Sequence, residues 1–227
     1  MSGRYDLVIF DWDGTVMDST ARIVECMHRA GADLALPVLD DEAVRGIIGL
    51  GLPEAIRVLY PDIDDHGVGR MRDCYARHFV AAEREPSPLY PGALETLAAL
   101  RDGGLRLAVA TGKSRKGLDR VWTGSDLGHW FHASRCADES VSKPAPAMVE
   151  ELLAELAVRP ERAVVVGDTA FDLEMALAAG VDRIGVSYGA HPVERLSPFQ
   201  PLAVIDALPE LLPLVGIGAH IDHEERV

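Results

Sequence analysis

The chain has 227 residues, of which 48% are hydrophobic and 26% charged, and its formal net charge is −14. This length and composition allow a substantial core, which excludes a disordered protein, and the acidic balance opposes binding to nucleic acid backbones. The three cysteines lack the close spacing of a zinc or redox motif. No run of about eighteen uncharged apolar residues occurs, and Asp6 comes too early for a signal peptide. We therefore expect a cytoplasmic protein with no membrane partner, either a monomer or a homodimer.

Four short apolar runs predict the buried strands of a parallel sheet. None of them alternates with polar residues, which is typical of strands that are covered on both faces. Helical spacing of apolar residues precedes two of the runs, from Leu94 to Leu100 and from Leu152 to Leu156. Strand, helix, strand repeats predict an α/β fold with a Rossmann-like parallel-sheet core. The four runs are residues 5–10, 105–111, 162–168 and 183–187.

A different pattern occupies residues 16–85. No strand-like run occurs there, and the apolar spacing is helical, as at Ile23, Met27 and Ala30. The segment ends in EPSPLYPG, a proline-rich stretch that suits a hinge. We therefore predict an α/β core made of residues 1–15 and 86–227, into which an all-helical cap of residues 16–85 is inserted.

Polar side chains follow each predicted strand. In an open parallel sheet, ligands bind beyond the carboxyl ends of the strands, so these residues are the first candidates for a site. They combine carboxylates, hydroxyls and lysines at one edge of the sheet. The set is Asp11, Asp13, Thr111, Gly112, Lys113, Ser114, Ser142, Lys143, Asp168, Thr169 and Asp172.

Such a set suits phosphoryl transfer, in which catalysis consists mainly of positioning and charge stabilisation. A carboxylate can attack phosphorus, a magnesium ion bound through oxygens can screen the repulsion between two anions, and a lysine can hold the transferred group. Asp11 and Asp13 lie two apart in an extended segment and share one face of it. One can therefore attack while the other handles the proton of the leaving oxygen.

Four motifs occur in the order typical of the haloacid dehalogenase superfamily. DWDGTV, residues 11–16, resembles its first motif, DxDGT/V, and Thr111 ends the second strand as in its second motif. Lys143 in SVSKPAP and GDTAFD, residues 167–172, resemble the third motif and the GDxxxD motif. The match spans residues 6–172. The helical insertion is similar to the cap of the phosphoglycolate phosphatase-like branch, which closes over the site.

The resemblance assigns a role to each motif. It implies that Asp11 is the nucleophile, and that Asp13 is the general acid and later the base that activates water against an aspartyl phosphate. Thr111 and Lys143 would bind the phosphoryl oxygens, with Gly112 in the same substrate-binding set. The expected substrate is a small phosphorylated metabolite such as 2-phosphoglycolate.

The resemblance also implies a Mg²⁺ cofactor. The carboxylate of Asp11, the backbone carbonyl of Asp13 and the carboxylate of Asp168 would hold the ion. Asp172 would either complete this metal site from further away or position Lys143.

Other positions are open to two interpretations. Gly14 would permit the tight turn after the first strand and belongs to the expected substrate-binding set. Arg45 and residues 48–54 of the cap could reach the substrate, because arginine binds carboxylate or phosphate in a fork, although Arg45 could equally be a surface charge. His191 is expected in a solvated loop, and the HIDHEE segment at 220–225 is expected to be a solvated tail rather than a metal site.

Several alternatives to a phosphatase follow from the same residues. A sugar phosphomutase would use the same aspartyl phosphate, and a non-catalytic regulatory protein would bind Mg²⁺ and a phosphoryl group without turnover. Asp13 argues against a dehalogenase, which lacks this second aspartate. The absence of lysine from residues 16–85 argues against a Schiff-base enzyme with its lysine in the cap. TGKS resembles the end of a P-loop, but Leu107 occupies the place of the first glycine.

Overall fold

A single parallel sheet organises the computed structural model, which describes residues 4–82 and 85–218. Within these residues the strand order is β3-β2-β1-β4-β5-β6 and every neighbouring pair is parallel. The predicted α/β class is confirmed. The sequence does not predict the two edge strands, because β3 is only partly buried and β6 has two residues. The strands are β1 Leu7–Phe10, β2 Arg106–Thr111, β3 Ala133–Cys136, β4 Ala163–Gly167, β5 Asp182–Val186 and β6 Val204–Ile205.

Helices cover both faces of this sheet, which is why β1 is apolar at every position. Its side chains alternate between the two faces. Val8 and Phe10 enter one core layer together with apolar residues of α5, whereas Leu7 and Ile9 enter the layer beneath α7 and α8. All four are fully buried, and each contributes about 1.5–3 kcal/mol to folding. The core helices are α5 Ala93–Asp102, α6 Arg115–Ser125, α7 Ala147–Glu155, α8 Ala170–Ala178, α9 Val193–Leu196 and α10 Leu211–Leu214.

Four helices lie between β1 and α5 and enclose a core of their own. Met27, Ile56 and Met71 are among its fully buried residues. The exact bounds 16–85 for a separate cap stay a prediction, and we use the word cap for these four helices and the loops between them. They are α1 Thr20–Asp33, α2 Asp41–Arg45, α3 Leu52–Leu59 and α4 Asp65–Ala82.

The two connections between core and cap run side by side. The N–H of Asp18 donates to the carbonyl of Pro88 at 2.9 Å, and the N–H of Tyr90 donates to the carbonyl of Val16 at 3.0 Å. Backbone hydrogen bonds therefore join the outgoing and returning chains at the base of the cap.

The cap is closed over the core by contacts of its backbone. The N–H of Gly51 donates to Ser142 Oγ at 2.8 Å. The imidazole of His191 bridges the two parts, since its Nδ1 accepts from the N–H of Ala170 at 3.0 Å and its Nε2 lies 3.2 Å from the carbonyl oxygen of Gly46. His191 is 1% exposed, so the expectation of a solvated loop residue is wrong. Burial, with Arg195 adding to it, lowers the pKa of His191 to about 4.

This buried histidine makes stability depend on pH. The unfolded chain takes up a proton on His191 near pH 6.5, whereas the folded chain resists protonation down to about pH 4. The contribution of the neutral imidazole to the free energy of unfolding is therefore complete above pH 6.5. It is lost as the pH falls toward 4, by about 1.4 kcal/mol per pH unit. We expect the difference in free energy of unfolding between the wild type and His191→Gln to shrink across this range, measured by urea titration. If the free energies of unfolding of the two proteins changed with pH in parallel, the lowered pKa of His191 would be contradicted.

Candidate active site

The centre of the site is a buried lysine between two aspartates. Asp11 directly follows β1, and Lys143 reaches it from the loop after β3. Lys143 Nζ lies 2.6 Å from Asp11 Oδ1 and 2.6 Å from Asp172 Oδ1, and the lysine side chain is completely buried. Burial opposes its charge, but the two carboxylates outweigh this effect and raise the pKa of Lys143. The lysine is therefore charged and fixed in one orientation.

Asp172 is held in place by the start of α8. Its Oδ2 accepts from the N–H of Thr169 at 3.0 Å and from the hydroxyl of Thr169 at 2.7 Å, in a capping box. Its Oδ1 is then left for Lys143. Asp172 thus completes the helix N-terminus and positions Lys143 at the same time.

Asp168 is held from two sides. The hydroxyl of Thr15 donates to its Oδ1 at 2.8 Å, and the N–H of Ala190 donates to its Oδ2 at 2.7 Å. Gly14 has a φ of +88° and packs directly on this carboxylate. Burial, reinforced by the nearby Asp172, raises the pKa of Asp168 to about 7.

Three buried carboxylates form a group that fits a divalent cation. One oxygen from each of Asp11, Asp168 and Asp172 lies within 4.8 Å of the others. Asp11 Oδ2 is buried and has no hydrogen-bond partner. Burial raises the pKa of Asp11 well above its ordinary value, with Asp172 and Asp168 adding to the rise and Lys143 opposing it. Three carboxylates beside one ammonium leave excess negative charge, and hard oxygen donors suit an ion of the magnesium type.

The carboxylate of Asp13 points away from this group. Lys113 Nζ lies 2.9 Å from both of its oxygens, and the hydroxyl of Ser19 donates to its Oδ1 at 2.5 Å. Lys113 is itself 4.6 Å from the ring centroid of Phe79 in α4. The sequence places Lys113 among the candidate residues that follow the strands but predicts no partner for it, and it does not single out Ser19. The only available signal is that Lys113 follows the end of β2.

Thr111 and Gly112 lie at the end of β2. Thr111 is buried and its Oγ1 accepts from the N–H of Lys113 at 3.2 Å, which leaves the hydroxyl hydrogen for a ligand oxygen. Ser114, and not Thr111, caps α6 by accepting from the N–H of Gly117. Gly112 allows the cap to approach, because a Cβ there would lie 2.5 Å from the carbonyl oxygen of Leu50.

A cavity of about 500 Å³ opens between these residues and the cap. Asp11, Asp13 and Thr111 line its floor, and most of residues 48–54 line its cap side, as the sequence predicts. Arg45 is not among the lining residues. It lies near Tyr90, where its charge opposes the rise in the pKa of that phenol. A contact between Arg45 and the substrate stays a prediction, and the predicted tail at 220–225 lies outside the described residues.

Comparison with known proteins agrees with this geometry. The family model of haloacid dehalogenase-like hydrolases matches residues 8–186. "Probable phosphatase IndB" of Dickeya dadantii is 34% identical over 214 residues, covering 91% of each chain. Phosphoglycolate phosphatase of Pseudomonas putida is 30% identical over 218 residues, covering 91% of this chain and 78% of the relative. CbbY from Rhodobacter sphaeroides, solved in complex with phosphate, has a TM-score of 0.80 at 25% identity and covers 91% of this chain and 96% of its own.

The chain belongs to the haloacid dehalogenase-like hydrolase family. The matched region contains all four motifs, from β1 to the end of β5. The family expected from the sequence is therefore confirmed. Across residues 4–82 and 85–218, no helix is both long enough and apolar enough to cross a bilayer.

Gly14 offers a test of how closely the site is packed. A Cβ at this position would lie 2.2 Å from Asp168 Oδ2, whereas a Cβ at Gly104 would meet nothing within 4 Å although its φ is also positive, at +83°. Both substitutions to alanine carry the backbone strain of a positive φ, about 1 kcal/mol. We expect only Gly14→Ala to displace Asp168 and to abolish stabilisation by Mg²⁺.

Thermal unfolding with and without Mg²⁺ measures this difference. We expect Mg²⁺ to raise the Tm of the wild type and of Gly104→Ala, but not that of Gly14→Ala. An equal increase in the two variants would show that Gly14 and Asp168 do not shape the metal site.

Proposed function

We propose that the chain is a Mg²⁺-dependent phosphomonoesterase that cleaves small phosphorylated metabolites through an aspartyl phosphate on Asp11. The observation that supports this proposal most directly is the geometry of the Asp11 carboxylate. One of its oxygens is fixed by Lys143 while the other is buried without a partner at the floor of the cavity. The family and the relatives named as phosphatases support a phosphatase of the haloacid dehalogenase type.

The substrate phosphoryl group would be held by three groups around Asp11. The Lys143 ammonium and the Thr111 hydroxyl can donate to phosphoryl oxygens. The carboxylates of Asp11 and Asp168 and the backbone carbonyl of Asp13 would hold a Mg²⁺ ion, which would supply charge neutralisation between the carboxylate and the anionic substrate. Asp172 positions Lys143 from behind.

In the first step Asp11 Oδ2 attacks phosphorus. A bond forms between this oxygen and phosphorus while the bond from phosphorus to the ester oxygen breaks, and Asp13 gives its proton to the departing alcohol. In the second step Asp13 takes a proton from water. That water attacks phosphorus, the bond to Asp11 breaks, and inorganic phosphate and the carboxylate are released.

Asp13 changes its contacts during this cycle. In the structure its two oxygens are occupied by Lys113 and Ser19, and its side chain is largely buried. Transfer of a proton to the alcohol requires the carboxyl group to leave at least one of these partners. Lys113 and Ser19 therefore hold Asp13 in a resting position on the floor of the cavity.

The finer expectations remain predictions of the sequence. They are the cap boundaries 16–85, the cytoplasmic location, the choice between a monomer and a homodimer, and the site roles listed for Gly14, Gly112 and Arg45. The expectation of a phosphoglycolate-like substrate is also a prediction, which rests on the family resemblance and on the names of relatives.

Phosphate release tests the proposal. The panel is 2-phosphoglycolate, sugar phosphates and nucleotides, each with Mg²⁺ or with EDTA. We expect Mg²⁺-dependent release that falls by at least about a thousandfold in Asp11→Asn, because the variant keeps the shape of the side chain and loses the nucleophile. Asp126→Asn, at a side chain that is 98% exposed, is the matched control and should retain full release.

Loss of fold can be separated from loss of chemistry in this experiment. Asp11→Asn removes one of three mutually repelling carboxylates, so in EDTA its Tm should equal or exceed that of the wild type. A folded wild-type enzyme that interconverts sugar phosphates without releasing phosphate would be a mutase. Tight binding of a phosphoryl mimic with no turnover would instead indicate the regulatory protein.

A further inference from the structure

The cavity above Asp11 is divided into a polar floor, an apolar wall and a charged rim. Asp11, Asp13, Thr111 and Lys113 form the floor. The rim carries charged residues from both the core and the cap, among them Glu54, Arg72, Lys116 and Asp138. Between these two ends the cap supplies the wall, and its composition decides which leaving group fits.

The wall consists mainly of apolar and aromatic side chains. Ile23 and Met27 come from α1, Leu52 from α3, and Tyr75 and Phe79 from α4. Ile23, Met27 and Phe79 are less than a tenth exposed. The rings of Tyr75 and Phe79 lie 5.7 Å apart at their centroids. Aromatic and sulfur-containing side chains in this arrangement favour contact with a flat ring.

A polyhydroxylated leaving group fits this wall poorly. Hydroxyl groups that are removed from water need hydrogen-bond partners, and a buried unpaired hydroxyl weakens binding substantially. Glu54, Arg72 and Asp73 of the cap are exposed and belong to the rim, so the polar group among Ile23, Met27, Leu52 and Phe79 is the Tyr75 phenol. A sugar would therefore place several hydroxyls against apolar side chains.

The carboxylate of 2-phosphoglycolate meets a similar obstacle. Only two carbons separate the ester oxygen from the carboxylate oxygens, so the charge would lie just above the floor. The cation there, Lys113, is already paired with both oxygens of Asp13. A volume of about 500 Å³ also leaves much of the cavity unfilled by so small a group.

We infer that the preferred substrate is a phosphomonoester of an alcohol carrying a flat, largely apolar ring. This inference rests on the proposed function and names the substrate class of the same site. The phosphoryl group occupies the floor, the ring packs against Phe79, Tyr75 and Leu52, and polar substituents of the ring extend to the charged rim. The chemistry is unchanged, since the ring-bearing alcohol leaves with the proton from Asp13.

A matched series of esters tests the inference in the wild-type enzyme with Mg²⁺. The esters are ethyl, benzyl and 2-phenylethyl phosphate, compared with 2-phosphoglycolate and ribose 5-phosphate. All are alkyl esters, so differences among them report mainly on binding of the leaving group rather than on its acidity. We expect kcat/KM for 2-phenylethyl phosphate to exceed that for ethyl phosphate, 2-phosphoglycolate and ribose 5-phosphate by at least about tenfold, because each buried methylene contributes about fourfold.

Variants of the wall test whether the preference arises there. Leu52→Ser should reduce the ratio of kcat/KM for 2-phenylethyl phosphate to that for ethyl phosphate by at least about fivefold. Val58→Ser, on the same helix but 59% exposed and away from the cavity, is the control and should leave the ratio unchanged. Phe79→Leu keeps an apolar side chain and removes the ring, so it should lower the same ratio if Leu52→Ser fails to fold.

The outcomes separate this inference from the proposed function. Release that is fastest from 2-phosphoglycolate or ribose 5-phosphate would overturn the ring-bearing substrate and leave the phosphatase intact. An unchanged ratio in both wall variants would also overturn it. No release from any of these esters or from the wider panel would overturn the phosphatase itself.

Discussion

The site depends on the repulsion among three carboxylates that share one buried ammonium. Asp11, Asp168 and Asp172 are almost completely removed from water, and Lys143 is the cation within hydrogen-bond distance of two of them. In a medium of low dielectric constant such an excess of negative charge is costly. In the proposed mechanism a divalent cation and Lys143 would together balance this charge, so that Asp11 could stay buried and still attack an anion.

Every carboxylate of the group is fixed by a different part of the fold. The parallel sheet brings the ends of β1 and β4 together, the capping box of α8 orients Asp172, and the N–H of Ala190 with the hydroxyl of Thr15 orients Asp168. These bonds form on folding and require no rearrangement when substrate arrives. Preorganised charges of this kind are the main source of catalysis in phosphoryl transfer. The cap then adds the apolar wall that selects among leaving groups.

The sequence predicts those site residues that stand at the end of a strand or directly after it. Asp11, Thr111 and Asp168 stand directly after or at the end of apolar runs, and a parallel sheet necessarily brings such positions to one edge. Lys143 follows from the order of motifs rather than from any local pattern, because it lies on a loop. The α/β class follows from the unbroken apolar strands and the helical spacing between them.

Contacts between distant segments could not be predicted in the same way. The pairing of Lys113 with Asp13 joins residues 100 positions apart, and the bridge of His191 to Gly46 depends on how the cap meets the core. Burial of His191 is likewise a property of the packed protein. The position of Arg45 near Tyr90 likewise depends on the orientation of α2 in the cap. The periodicity of apolar residues in the sequence indicates which residues are buried, but not which of them are in contact.

The most direct test of the central claim is to detect the phosphoryl group on Asp11. The enzyme is mixed with Mg²⁺ and the best ester of the panel, quenched in acid before the steady state, digested and analysed by tandem mass spectrometry. The account predicts one phosphoryl group on the peptide containing Asp11, removed by hydroxylamine and absent from Asp11→Asn. Phosphate release at the full rate with that peptide unmodified, or with the phosphoryl group on another residue, would contradict the account.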